Sequence, residues 1–230
     1  MYIKNTKTDS WICSKKPKTE IIDTGRHIKA IIFDLGNVLI DFDHKIAAER
    51  ISKSAHKNPQ EIFNLFFDSE LTALFEEGKI SPLEFFLKVK ETLNLKLDYS
   101  EFIPIWNEIF FLSEKNRYVY NLAKILKSHY IIALLSNINI LHFDYLKKNF
   151  TVFDAVHHII TSFEVGFRKP HPLIYKKALE TLGVLATDVA YTDDRPELVE
   201  KAQELGIKSF HFQGIEKLKV DFLSIGINLE

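Results

Sequence analysis

The sequence predicts an α/β fold: a doubly wound parallel sheet with an α-helical insertion after its first strand. Three observations carry this. Short β-branched apolar runs alternate with helical segments from residue 115 onward. Strand-like runs are scarce between residues 43 and 114, where helix starts and aromatic spacings of helical period dominate. Charged or hydroxyl residues stand at the ends of the buried runs, where ligand sites of open α/β sheets lie.

The elements follow in order. Residues 1–26 are polar, dotted with Lys4, Lys7, Lys15, Lys16 and Lys18, and read as an extension, with Trp11 and Ile21-Ile22 as the residues able to pack on the folded unit. Ile28 to Phe33 forms the first strand and runs into Asp34 and Gly36. Within 43–114, Asn58-Pro59 and Ser81-Pro82 are helix starts with a cap residue before a first-turn proline, and Gly78 separates two helices. Phe63, Phe66, Phe67, Phe85, Phe86 and Trp106 fit buried helix faces.

A helix from about Glu114 to Lys127 leads to a second strand, Ile131 to Leu135, ending in Ser136-Asn137. A strand from about Val156 to Thr161 precedes Arg168-Lys169-Pro170, and a helix runs through Tyr175 to Leu182-Gly183. Val189 to Thr192 ends in Asp193-Asp194, and a helix and a strand from Ile207 to His211 close the unit. The expected core is thus 27–42 with 115–230, and the cap is 43–114.

Composition bounds the function. Apolar residues are 46% of the 230, and Phe occurs 19 times, so hydrophobic burial supports the fold without disulfides or structural metal. Thirty basic against 31 acidic residues leave a net charge of -1, too little field to gather nucleic acid or an anionic membrane, so any anion site is local. Cys13 is the single cysteine, which excludes an internal disulfide. No apolar run approaches the ~18 residues of a membrane span, and the lysine-rich start has no secretory apolar stretch. The expected setting is the cytoplasm.

Four polar stations, Asp34, Ser136, Lys169 and Asp193-Asp194, follow successive strands and converge on one edge of a parallel sheet. Each alone is ordinary turn or cap chemistry. Together they supply a nucleophilic carboxylate, a hydroxyl, an ammonium and an acidic pair, the set that holds a phosphoryl group beside a hard cation. An oxygen-only cluster of that kind suits Mg²⁺.

The strings Phe33-Asp34-Leu35-Gly36-Asn37-Val38-Leu39, Leu135-Ser136-Asn137, Gly166-Phe167-Arg168-Lys169-Pro170 and Thr192-Asp193-Asp194-Arg195-Pro196-Glu197 resemble, in order, the four motifs of the haloacid dehalogenase superfamily. The 43–114 insertion resembles the helical cap of one branch. The resemblance implies a phosphoric monoester hydrolase acting on a small phosphorylated metabolite through an aspartyl-phosphate on Asp34. It implies Mg²⁺ held by Asp34, the Gly36 carbonyl and Asp194, with Asp193 behind them, and with Ser136, the Asn137 backbone and Lys169 on the phosphoryl group. Glu76 and Lys79, in the loop 75–81, are the candidates to meet the substrate.

Many family phosphatases carry a second Asp two residues after the nucleophile as general acid, and here that position is Gly36. Some sugar-phosphate phosphatases of the family, the α-glucose-1-phosphate type among them, look similar at this motif. An anomeric hydroxyl is a better leaving group than a simple alcohol, so a sugar 1-phosphate needs less protonation. Asp41, Asp43 and His44 are alternative proton sources. Two rival readings are a catalytically impaired binding or regulatory module and a metal-independent 2-haloacid dehalogenase, the second disfavoured by Asp193-Asp194.

Overall fold

The computed structural model describes residues 2–4, 11–13, 28–55, 57–67 and 69–229. The side chains of Trp11, Phe66 and Phe67, and the pair Ile21-Ile22, lie outside what is described. Near the amino end, β1 (Tyr2–Lys4) pairs antiparallel with β2 (Trp11–Cys13).

The central sheet starts with β3 (Ala30–Phe33), whose four residues are all buried. Its other strands are β6 (Ile131–Ser136), β7 (His158–Thr161), β8 (Val189–Asp193) and β9 (Lys208–His211). The order is β7-β6-β3-β8-β9 and every pairing is parallel. The chain therefore winds outward from β3 in both directions, and the carboxyl ends of β3, β6 and β8 lie side by side.

Period-two alternation assigns each strand residue to one of two cores. Ile31, Phe33, Ile132 and Leu134 pack with Val119, Leu122 and Leu126 of α6 (Glu114–Leu126), Leu146 of α7 (Ile140–Asn149) and Phe222 of α11 (Ile215–Ser224). Ala30, Ile32, Ala133 and Tyr191 face the other way, onto Ile174, Tyr175 and Ala178 of α9 (Pro172–Leu182) and Ala202 of α10 (Pro196–Glu204). The strands read as continuous apolar runs because both faces are covered.

Between β3 and α6, the ribbon β4 (Asp41–Phe42) and β5 (Phe110–Phe111) pairs antiparallel, and five helices run between its strands. These are α1 (His44–Ala55), α2 (Pro59–Phe67), α3 (Glu70–Glu76), α4 (Pro82–Leu93) and α5 (Tyr99–Asn107). The helix starts lie where the sequence places them. Ser81 Oγ accepts from Glu84 N at 3.2 Å and Glu84 Oε2 accepts from Ser81 N at 2.8 Å, a reciprocal cap ahead of Pro82. Asn58 Oδ1 accepts from Gln60 N at 2.8 Å ahead of Pro59. This helical unit has its own core, including Ile51, Ile62, Phe75, Phe85, Phe102 and Trp106.

Several boundaries differ from the sequence expectation by a residue or two, β9 for example beginning at Lys208 rather than Ile207. The first strand begins at Ala30, not Ile28, because Lys29 is tied at the strand entrance by its N–H to the Asp188 carbonyl (2.8 Å) and its ammonium to the Asp188 carboxylate (2.8 Å). β7 begins at His158, not Val156, because Val152–Ala155 forms a 3₁₀ turn that consumes the preceding chain.

Phe85 is fully buried and stacked on Phe75 with ring centroids 4.3 Å apart. Phe85→Ala is expected to cost ~3–5 kcal/mol in urea denaturation, whereas Leu83→Ala, at a residue 52% exposed, should stay within about 0.5 kcal/mol of wild type.

Candidate active site

Asp34 directly follows β3, Ser136 ends β6 and Asp193 ends β8, with Asp194 one residue beyond. Lys169 comes from the loop between α8 (Ser162–Val165) and α9. Its Nζ reaches Asp34 Oδ1 at 2.6 Å, Asp193 Oδ2 at 2.7 Å and the Leu135 carbonyl at 3.0 Å, and all three charged side chains are buried. Asn137 fastens this loop: its Nδ2 donates to the Lys169 carbonyl at 2.9 Å and its Oδ1 accepts from the Lys169 N–H at 2.7 Å.

The two carboxylates that share the ammonium differ. Burial works to raise Asp193, but Lys169, the Tyr191 hydroxyl and the Arg195 N–H (2.9 Å) all donate to it and hold it below its ordinary range. Asp34 has the lysine alone against burial and two neighbouring aspartates, and it rises from its ordinary 3.8 to about 7, burial being the largest cause. The Lys169 ammonium stays protonated despite its burial, because both aspartates favour the cation.

Asp34, Asp193 and Asp194 can bring one carboxylate oxygen each within 4.8 Å of one another. Asp193 is already committed at both oxygens, whereas Lys169 and Asn37 (2.9 Å) engage one oxygen each of Asp34 and Asp194. The donor set therefore suits a hard divalent cation between Asp34 and Asp194, with Asp193 behind as the partner of Lys169. Asn37 adopts a left-handed φ of 55°, tolerated by asparagine, and this turn carries its amide to Asp194.

A cavity of about 600 Å³ opens over these groups. Asp34, Gly36, Asn37, Ser136, Asn137, Lys169, Asp193 and Asp194 line it, together with Phe42, Asp43, His44, Glu76 and Arg168. Of the two loop residues expected to meet substrate, only Glu76 lines it, in an ion pair with Arg168 at 2.7 Å. Lys79 is a correction. Its ammonium turns to Glu77 at 2.7 Å and lies over the Phe167 ring, and it does not line the cavity. Gly78 beside it has a φ of +64°, and a Cβ there would stand 2.4 Å from the Phe163 carbonyl, so the loop comes close to α8 at this residue.

Of the three alternative proton sources, Asp41 is bound to Lys115 at 2.8 Å and is not part of the lining, whereas Asp43 and His44 are. Burial pushes His44 down to about 4. A Cβ on Gly36 would lie 2.6 Å from Phe42 Cε1, so the Phe42 ring fills the space in which a general acid would stand. Sequence reasoning missed Phe42, Phe110, His142 and Arg168 as lining residues. For Arg168 the signal was adjacency to Lys169, for His142 it was its place in the first turn of α7 just beyond Ser136-Asn137, and for Phe42 and Phe110 none existed, because their approach depends on the pairing of β4 with β5.

The haloacid dehalogenase-like hydrolase family matches residues 28–206. This chain belongs to that family. It is 24% identical over 189 residues to a D-ribitol-5-phosphate phosphatase of Bacteroides thetaiotaomicron, covering 80% of this chain and 91% of the relative. A glyceraldehyde 3-phosphate phosphatase of Pyrococcus furiosus is 24% identical over 208 residues, covering 82% of each chain. A family enzyme of B. thetaiotaomicron, solved with magnesium and inorganic phosphate, superimposes with a TM-score of 0.71 at 29% identity, covering 80% of this chain and 93% of that one. The chain is thus a hydrolase, and no described helix is long and apolar enough to cross a membrane.

Because Asp34 binds its proton more tightly folded than unfolded, it favours the metal-free fold at low pH, and this contribution is lost as pH rises from about 4 to about 7. The stability difference between metal-free Asp34→Asn and wild type should therefore grow in the variant's favour across that window and level off above it. Urea titrations at stepped pH in EDTA check this; a constant difference would refute the raised carboxyl.

Proposed function

We propose that this hydrolase is a Mg²⁺-dependent phosphatase of small phosphorylated metabolites, sugar phosphates first among them, working through an aspartyl-phosphate on Asp34. The observation that carries the reading is the buried Lys169 ammonium shared by Asp34 and Asp193 beside Asp194, at the carboxyl edge of the sheet. The names of the two curated relatives and the magnesium and phosphate in the solved one support it.

In this reading Asp34 attacks phosphorus, the ester P–O bond breaks, and water then cleaves the acyl-phosphate to regenerate the carboxylate. Asp34, the Gly36 carbonyl and Asp194 would hold Mg²⁺, which supplies Lewis-acid stabilisation of phosphoryl charge. Lys169 offsets repulsion between the Asp34 carboxylate and the phosphoryl oxygens, and Ser136 and the Asn137 backbone donate to those oxygens. Residues 43–114 act as the cap that supplies the far wall of the cavity. The trio of carboxylates disfavours the metal-independent dehalogenase. The Phe42 ring beside Gly36 is what favours the second reading, a catalytically impaired module.

Phosphate release from a panel of sugar phosphates should require Mg²⁺ and fall by at least about 10³-fold in Asp34→Asn. Turnover insensitive to EDTA, or kept in the variant, refutes the mechanism, and Mg²⁺ binding without any turnover would establish the impaired module. Gly36→Asp alone should give no gain in kcat, since the new side chain collides with Phe42. A gain would show that the ring yields.

A further inference from the structure

The turn after β6 carries Ser136 and the Asn137 backbone, the donors assigned to the phosphoryl oxygens, and it is held from two sides. On one side the Asn137 amide clasps the Lys169 backbone, at 2.9 and 2.7 Å. On the other, Ser162 Oγ accepts from the Ile138 N–H at 3.0 Å. Strand register explains the reach: Ser136 pairs with Thr161, so Ser162, the next residue after β7, stands level with the turn.

Ser162 is fully buried and does not itself line the cavity. Its hydroxyl has one proton and two carbonyls in range, Glu76 at 2.5 Å and Ile138 at 3.2 Å. The shorter contact takes the proton, which leaves the oxygen's lone pairs facing the Ile138 N–H. The bond that fixes the turn is therefore oriented by a main-chain carbonyl of the helical insertion. Glu76 is the last residue of α3, where a helix carbonyl has no partner within its own helix, so hydroxyl and carbonyl complete each other.

Glu76 is also placed by its side chain, independently of Ser162. Its carboxylate pairs with Arg168 at 2.7 Å, and Gly78, two residues on, comes against the Phe163 carbonyl. The contacts close a ring: the Glu76 carboxylate to Arg168, Arg168 to Lys169 along the chain, Lys169 to Asn137, Ile138 to Ser162, and Ser162 back to the Glu76 carbonyl. Loosening Glu76 at either end opens it.

We propose that Ser162 is a positioning residue for the phosphoryl end of the cavity: with its proton held by the Glu76 carbonyl, it fixes the turn 136–138 through the Ile138 N–H. The insertion thereby helps to build the phosphoryl site without touching the phosphoryl group. This rests on the phosphatase reading, which assigns the turn to the phosphoryl oxygens.

The test uses the full chain with Mg²⁺, and inorganic phosphate as the probe. In calorimetry, Ser162→Ala should weaken phosphate binding about fivefold, the worth of one buried hydrogen bond, and leave Mg²⁺ affinity within about twofold, since the metal groups follow other strands. Amide exchange at Ile138 follows the coupling itself and should quicken about fivefold in the same variant. Arg168→Gln, which releases the Glu76 carboxylate and leaves the Ser162 hydroxyl in place, should quicken that exchange in the wild-type background and add nothing in Ser162→Ala. A general loss of stability does not produce that non-additivity. Undiminished phosphate binding in Ser162→Ala, an equal loss of phosphate and Mg²⁺, or additive effects of the two changes overturns the proposal. If the alanine variant does not fold, Arg168→Gln decides alone, and unchanged exchange at Ile138 overturns it. A wild type that neither binds phosphate nor releases it from any ester overturns the phosphatase reading, and this role of the turn with it.

Discussion

One buried ammonium holds the site together. Lys169 lies between two carboxylates on different strands, and each of the three groups would be costly to bury alone. Their mutual need fixes the loop after β7 to the ends of β3 and β8, and it divides the labour. Asp193, with three donors, is held as the anion that keeps the lysine charged, whereas Asp34, with one, is left the more basic of the two. Two chemically identical side chains thus acquire different roles from their neighbours alone.

The parallel sheet makes this economical in geometry. Register places Phe33 beside Leu134 and Thr192, so the next residues along β3, β6 and β8 emerge at one level. Asp34, Ser136 and Asp193 stand at the ends of strands buried on both faces, while Phe42, His44, Glu76 and Phe110, which also line the cavity, come from the helical insertion and its ribbon. Glu76 and Ser162 stitch the two together: Arg168 grips the Glu76 carboxylate and Ser162 Oγ donates to the Glu76 carbonyl at 2.5 Å. Since Arg168 precedes Lys169 in the chain, the contact that seats the insertion is one residue from the ammonium.

Most of the sheet was legible because its signals are local. Ile31-Ile32-Phe33 and Ile131 to Leu135 are apolar on both alternations, and a charge or hydroxyl directly after such a run has few structural uses. The caps at Asn58 and Ser81 were legible for the same reason. What could not be read depends on encounters far apart in the chain. β4 and β5 have two residues each, too few to show a period, yet their pairing brings Phe42 to Phe110 and closes the cavity. Lys79 looked available as a charge beside a hinge glycine. Its ammonium is instead over the Phe167 ring, some ninety residues later, and sequence gives no hint of that encounter.

The buried residues of the insertion's core run from Ala48 to Trp106, distinct from the two cores that clothe the sheet, and it meets the rest of the chain at Ile140, Leu141 and His142 of α7. Mutations that reshape Phe75 or Phe85 therefore act first within the insertion, whereas one at Trp106 also reaches His142 at the cavity. Under the proposed function, such an arrangement would let lineages change which compound is accepted while the groups at the strand ends stay fixed, so divergence in this protein should be written first in its insertion and last along the edge of its sheet.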